Sequence, residues 1–231
     1  MLRYRAPMTS ETVAILGGTG PEGRGLALRF ARAGVPVVIG SRDAARAAQI
    51  AAELAPGQDL PVSGAANADA TRAADIVLVA VPWEAHEPTL RSLEAELSGK
   101  LVVDIVNPLE FDEHGPATLR VDEGSAAEQA RALLPGSTVV AGFHHVSAKH
   151  LLDETHPVDT DVLVCGDDRA AKDRVMALAE RIPGVRGVDA GALRLAHILE
   201  DWTTALLSIN RGYRTNTGTR LTELDPARRR P

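Results

Sequence analysis

The chain is poor in cysteine, lysine and aromatic rings, and it has no surplus of positive charge. Its one cysteine, Cys165, has no internal partner in the 231 residues. That excludes a disulfide-stapled scaffold and makes a reducing, cytoplasmic compartment the expectation. Aromatics are 3% of the chain: two Trp, two Tyr and three Phe. The core must therefore be filled by Ala, Val, Leu and Ile, as in a parallel sheet packed between helices. A net charge of −6 leaves no basic field to neutralise phosphates, which argues against a general nucleic-acid binder. No apolar run approaches the ~20 residues needed to cross a bilayer, so no membrane partner is expected. The start, Met1 to Glu11, has no apolar stretch, so no signal peptide is expected. Residues 1–10 read as a frayed extension and Arg228–Arg230 as a solvated tail.

Against these absences stands a hydrophobic content of 45%, enough for a substantial core. Short β-branched runs alternate with Ala-rich helical stretches. The strand candidates are Thr12–Leu16, Val35–Ile39, Ile76–Val81, Leu101–Asp104, Thr138–Ala141, Asp161–Cys165 and Val185–Asp189, with Pro61–Ser63 as a weaker one. The helix candidates are Gly23–Ala33, Asp43–Leu54, His86–Leu97, Ser125–Leu134, Arg169–Arg181 and Leu193–Asn210. Strands of four to six residues between helices mean βαβ units. The expected fold is α/β: a doubly wound, Rossmann-type parallel sheet over residues 10–150, with a small C-terminal part over 151–225. Such sheets bind ligands beyond the carboxyl ends of their strands.

The first strand candidate runs into Gly17-Gly18-Thr19-Gly20-Pro21-Glu22-Gly23. Gly18, Gly20 and Gly23 form G-x-G-x-x-G between a strand and a helix, the context that gives this pattern its meaning. Gly18 allows the tight turn, Gly20 lets the backbone approach a pyrophosphate, and Gly23 lets the helix pack close. The exposed N–H groups of the helix start then meet the anion. The bland alternative is a tight turn with no ligand.

The second strand selects the cofactor. An NAD site usually carries Asp or Glu there for the ribose 2′-hydroxyl. This chain has Gly40-Ser41-Arg42. A hydroxyl and a guanidinium suit a 2′-phosphate, and Arg46, one helical turn on, reaches the same group. NADP is therefore expected over NAD, the competing view being that Arg42 and Arg46 are merely solvated. Asp43 is expected to cap a helix.

Three later loops complete the set. Ala80-Val81-Pro82-Trp83-Glu84 borders the nicotinamide half in this kind of fold, and Trp83 either walls the pocket or packs on the next helix. Asp104-Ile105-Val106-Asn107-Pro108-Leu109 also faces the pocket. In Gly142-Phe143-His144-His145-Val146-Ser147-Ala148 two histidines suggest a metal only superficially, because adjacent residues diverge and no carboxylate partner is evident. No metal is expected.

Together Ala14–Gly20, Gly40–Arg42, Val81–Glu84, Val164–Asp168 and Asp189–Gly191 resemble, in order and spacing, the coenzyme F420-dependent NADP reductases, over about Thr12 to Leu224. The resemblance implies reversible hydride exchange between NADP(H) and the 5-deazaflavin F420, in a homodimer with the deazaflavin between the dinucleotide domain and the C-terminal part. It implies pyrophosphate contacts at Thr19, Gly20, Pro21 and Glu22, and 2′-phosphate contacts at Ser41, Arg42 and Arg46. Nicotinamide-side contacts fall at Val81, Pro82, Ala85, Leu109 and Ala148. His144 matches the histidine at the cleft, as an orienting group or a structural loop residue. The chain departs from some relatives at Ser147, at the second histidine His145, and in the shift of a loop imidazole from Ala85 to His86. These departures fall on the deazaflavin side.

In the last helix candidate Leu195, Ile198, Leu199, Trp202, Ala205, Leu206 and Ile209 make one apolar stripe at helical spacing. It docks either on its own domain or, as the width of the stripe suggests, on a second subunit. Two other functions compete. A β-hydroxyacid dehydrogenase needs a lysine on a long helix after the sheet, and no lysine follows Lys172. An NADP-sensing regulator needs no second cofactor pocket.

Overall fold

The computed structural model describes residues 11–225 and Arg229. The remaining residues proposed as a frayed start and a solvated tail lie outside the described residues. In chain order the elements are β1 (Val13–Leu16), α1 (Pro21–Arg32), β2 (Val37–Ser41), α2 (Ala44–Leu54), β3 (Val62–Ala66), α3 (Asn67–Ala73), β4 (Ile76–Val79), α4 (Trp83–Ser92), α5 (Glu94–Leu97), β5 (Leu101–Asp104), β6 (Leu109–Phe111) and β7 (Pro116–Thr118). Then follow α6 (Ala126–Leu133), β8 (Thr138–Ala141), α7 (Ala148–Leu152), β9 (Thr160–Gly166), α8 (Arg169–Ala179), β10 (Val185–Gly191) and, after a 3₁₀ turn at Leu193–Leu195, α9 (Ala196–Tyr213).

Eight strands form one sheet in the order β10-β9-β8-β5-β4-β1-β2-β3. The six from β3 to β8 are parallel and follow the doubly wound order, with the reversal between β1 and β4. Residues alternate between the two faces, so each strand feeds two cores. Val13 and Ile15 of β1 pack with Leu26 and Phe30 of α1, while Ala14 and Leu16 pack with Leu90, Leu97 and Leu134 on the other side. Helices cover both faces, which is why the strands are almost purely aliphatic.

The sheet is not parallel throughout. β9 pairs with β8 antiparallel, and β10 runs parallel to β9. The link from β8 to β9 holds only the five-residue α7, which packs across α1 where Gly25 leaves room: a Cβ there would stand 2.5 Å from Leu151 Cβ. No helix crosses back over the sheet, so the chain returns antiparallel. Residues 151–225 thus supply β9, α8, β10 and α9, and both strands extend the sheet of the first 150 residues. Because of the reversal, the carboxyl ends of β9 and β10 lie at the edge opposite those of the other six strands.

Several boundaries differ from the sequence-based expectation. The helix expected at His86–Leu97 begins at Trp83, behind the extended Pro82, and breaks at Leu93 into α4 and α5. The weak strand at Pro61–Ser63 runs on to Ala66 as β3. The short helices α3 and α7 and the β6–β7 hairpin are additions.

Candidate functional site

The glycine turn has a clear division of labour. Gly18 N–H donates to Ile15 O at 3.1 Å and to Gly40 O at 3.2 Å, stitching the turn to β1 and β2. A Cβ on Gly18 would stand 2.7 Å from Ile15 O, and one on Gly23 only 2.5 Å from Gly18 Cα. Both must be glycine for the helix to start this close to the sheet. Gly20 is different: a Cβ there would meet nothing nearer than Gly17 O at 3.7 Å. It is the N-cap of α1, with no side chain capping the helix and with Pro21 at the first helical position. The free N–H groups therefore open onto space beside Gly20, which fits a bound pyrophosphate. Glu22 in the same turn has a buried Oε1 with no partner, and burial pushes its carboxyl up to about 8. In the protonated form it sets no charge against an anion.

At the end of β2, Ser41 Oγ accepts from Asp43 N–H at 3.1 Å, which leaves its own proton free to donate. Asp43 caps α2, its Oδ1 accepting Arg46 N–H at 3.1 Å, as expected. Arg42 and Arg46 are both exposed, and neither forms an ion pair among the described residues. Arg24, on α1, is taken by Glu53 at 3.1 Å. A side chain not foreseen here is Asn67, which follows β3. Its Oδ1 is buried without a partner and lies 2.8 Å from where a Cβ on Gly40 would be.

The nicotinamide-side candidates sit at the carboxyl ends of three adjacent strands. Val81, Pro82 and Ala85 follow β4, Leu109 opens β6 after β5, and Ala148 opens α7 after β8. Trp83 packs rather than standing free: its ring stacks on His86 with centroids 5.4 Å apart.

The two histidines after β8 diverge. His145 Nε2 donates to Asp161 O at 2.7 Å. The Asp161 carboxylate is itself clamped by Arg186 at 2.6 Å, Arg220 at 2.6 Å and Leu221 N–H at 2.7 Å, which ties the segment after α9 to the start of β9. Burial works against that charge, but the two guanidiniums and the backbone N–H hold the carboxyl below its usual range. Among the described residues neither His144 ring nitrogen has a partner in good hydrogen-bond geometry, although the backbone of Ile105 and Val106 lies close; burial pushes the ring down to about 4, so it is neutral at pH 7. Its carbonyl accepts Asn107 Nδ2–H at 3.1 Å, while Asn107 Oδ1 is buried and unpaired. Among the described residues no group of three His, Cys, Asp or Glu side chains is arranged to hold a metal.

A buried network, not foreseen from the sequence, lies beneath these loops. His86 Nε2 is 2.7 Å from Asp104 Oδ2, and His86 Nδ1 is 2.9 Å from Gln129 Oε1. Both His86 and Asp104 are fully buried. Nearby Glu200 of α9 accepts from Ala126 N–H at 3.1 Å and Ala127 N–H at 3.4 Å, capping α6. Its burial pushes its carboxyl up to about 8. A separate cavity of about 590 Å³ lies at the ends of β9 and β10, lined by Gly166, Asp167, Lys172, Asp189 and Arg229. The strand reversal puts it on the far edge from the glycine turn. Lys172 is paired there with Asp189 at 2.7 Å, and Arg229, expected as solvated, pairs with Asp189 at 2.5 Å.

Comparison with known proteins identifies the family. Residues 12–108 match the family model described as NADP oxidoreductase, coenzyme F420-dependent. The F420-dependent NADP reductase of Methanothermobacter marburgensis is 44% identical over 220 residues, covering 92% of this chain and 98% of that one. The F420-dependent NADP reductase of Methanocaldococcus jannaschii is 40% identical over 221 residues, covering 92% and 99%. A solved structure from Arthrobacter sp. FB24 aligns with a TM-score of 0.78 at 28% identity, over 92% of this chain and all of that one. The rat metalloreductase STEAP3 is 33% identical over 196 residues, but only 36% of its own length is covered. With such identity to two F420-dependent NADP reductases across nearly their whole lengths, the chain belongs to the coenzyme F420-dependent NADP reductase family.

Proposed function

We propose that this protein transfers a hydride, reversibly, between NADP(H) and the deazaflavin coenzyme F420. The observation that carries the NADP half is the open glycine turn at Gly20 flanked by two unpaired guanidiniums, Arg42 and Arg46. The turn offers backbone N–H groups to the pyrophosphate. Ser41, Arg42 and Arg46 offer a hydroxyl and two cations to the 2′-phosphate. The F420 half rests on membership of the family.

Hydride chemistry is supplied by the two coenzymes when bound, and the chain's task is to hold their rings in contact and orientation. Val81, Pro82, Ala85, Leu109 and Ala148, which follow three adjacent strands, would flank the nicotinamide and shield it from water. His144, neutral and with both ring nitrogens unused, is suited to orient the second ring through a hydrogen bond. Residues 10–150 carry the dinucleotide, and residues 151–225 close the cleft.

The functional unit we propose is a homodimer through α9. Leu199 and Leu206 face inward, while Ile198, Trp202, Ala205, Ile209 and Tyr213 form a continuous exposed stripe. Among the described residues no helix is long and apolar enough to cross a membrane. The single, buried Cys165 supports a cytoplasmic location.

The competing readings have less support. A β-hydroxyacid dehydrogenase needs a free lysine over the cofactor, whereas Lys172 is paired on the opposite edge of the sheet. A sensor would bind NADPH alone. Calorimetric titration separates these: we expect saturable binding of both NADPH and F420, and binding of NADPH without F420 would favour the sensor.

A further inference from the structure

The two loops assigned to the nicotinamide end leave the sheet from adjacent strands, β4 and β5, and a single side chain joins them. His86, on the first turns of α4, reaches the carboxylate of Asp104, the last residue of β5, at 2.7 Å. Its other nitrogen meets Gln129 Oε1 at 2.9 Å, and the Gln129 amide is oriented by Nε2–H donating to Glu123 at 3.3 Å. Burial works against a charge on the ring, but the Asp104 carboxylate and the two hydrogen bonds hold the imidazole above its ordinary range. The second Asp104 oxygen accepts Val106 N–H at 3.0 Å, which fixes the start of the β5–β6 loop. Asn107, the next residue, donates to the His144 carbonyl at 3.1 Å. On the other side Trp83 stacks on the imidazole, which fixes the first turn of α4 behind Val81 and Pro82.

A buried polar pair is a poor way merely to fasten a helix to a sheet, since apolar residues of the same volume do that as well or better. What the pair adds is a directional bond with one geometry. We propose that His86 is a positioning residue for hydride transfer: through Asp104 it holds the β4–α4 and β5–β6 loops in one placement and so sets where the nicotinamide ring stands. This rests on the NADP reading of the site given above.

The test compares two probes by calorimetry in the intact protein: 2′,5′-ADP, which reports the adenosine half alone, and NADPH, which reports both halves. His86→Leu is expected to bind 2′,5′-ADP as the wild type does and NADPH roughly tenfold more weakly. In turnover, kcat should fall more than KM for F420 rises. His86→Gln, which keeps a donor to Asp104, should recover most of the NADPH affinity. Unchanged NADPH affinity in His86→Leu would overturn the proposal. So would a parallel loss of both probes, which would make the network a general support of the domain. Should His86→Leu fail to fold, Gln129→Leu carries the same comparison, with a smaller loss expected for NADPH and none for 2′,5′-ADP; equal losses overturn it. A wild type that binds neither probe would instead overturn the NADP reading itself.

Discussion

Among the described residues Arg42 and Arg46 form no ion pair, whereas their neighbour Arg24 on α1 is paired with Glu53. Two cations left free beside an open helix start are a demand for an anion. Arg42→Ala should therefore weaken NADPH binding by about 1.5–3 kcal/mol, the scale of a charged hydrogen bond, while NADH binding hardly changes. Fluorescence titration with both nucleotides checks this, and equal losses would remove Arg42 from the 2′-phosphate. Gly20→Val should fold, because a Cβ there meets only Gly17 O at an ordinary 3.7 Å, yet lose dinucleotide affinity. Retained affinity in the folded variant would remove the turn from the site. His144 gives a pH prediction. Its folded pKa is about 4, below the ordinary 6.5, so the stability linked to its neutral form is complete above pH 6.5 and is lost as pH falls towards 4. The loss is roughly 3 kcal/mol. Urea melts at pH 7 and pH 5 should show a larger drop for wild type than for His144→Leu, and identical drops would contradict it.

At the scale of elements, α9 is the helix whose apolar stripe exceeds what its own fold covers. Of the seven apolar positions visible in the sequence, Leu199 and Leu206 are buried, whereas Ile198 is 52% and Trp202 40% exposed. Periodicity could show a wide stripe but not that it would split between two faces. Ile198 makes no polar contact, unlike Trp202, whose Nε1–H donates to Thr219 Oγ1 at 2.8 Å. Ile198→Glu should therefore leave the monomer folded and place a charge in the proposed subunit contact. Light scattering should give about twice 24.4 kDa for wild type and the single-chain mass for the variant. A wild type of single-chain mass would sink the dimer. The strands were legible because fully buried parallel strands need uninterrupted aliphatic runs. α3 and α7 were not, since seven and five residues hold too few turns for a periodic pattern. Neither was the direction of β9, which depends on how the preceding link packs. The β6–β7 hairpin left a faint sign in Asp112-Glu113-His114-Gly115, where Asp112 Oδ1 takes the N–H of His114 at 2.7 Å and Gly115 at 3.0 Å.

For the molecule as a whole, the proposed dinucleotide site could be drawn from the sequence because its parts are local: a glycine turn and a strand end, each a few consecutive residues. The parts that cross the fold did not. His86, Asp104 and Gln129 come from α4, β5 and α6, and no short-range pattern links them. The pairing of His145 with Asp161 O needs the antiparallel approach of β9. The central claim is that all this geometry serves one transfer between two coenzymes. Its most direct test is to mix the purified protein with NADPH carrying deuterium at the transferable C4 position and oxidised F420, following the visible absorbance of the deazaflavin and then the product by mass spectrometry. The account predicts loss of that absorbance with deuterium delivered to C5 of the reduced deazaflavin. Persistent absorbance, or reduced F420 without the label, would contradict it.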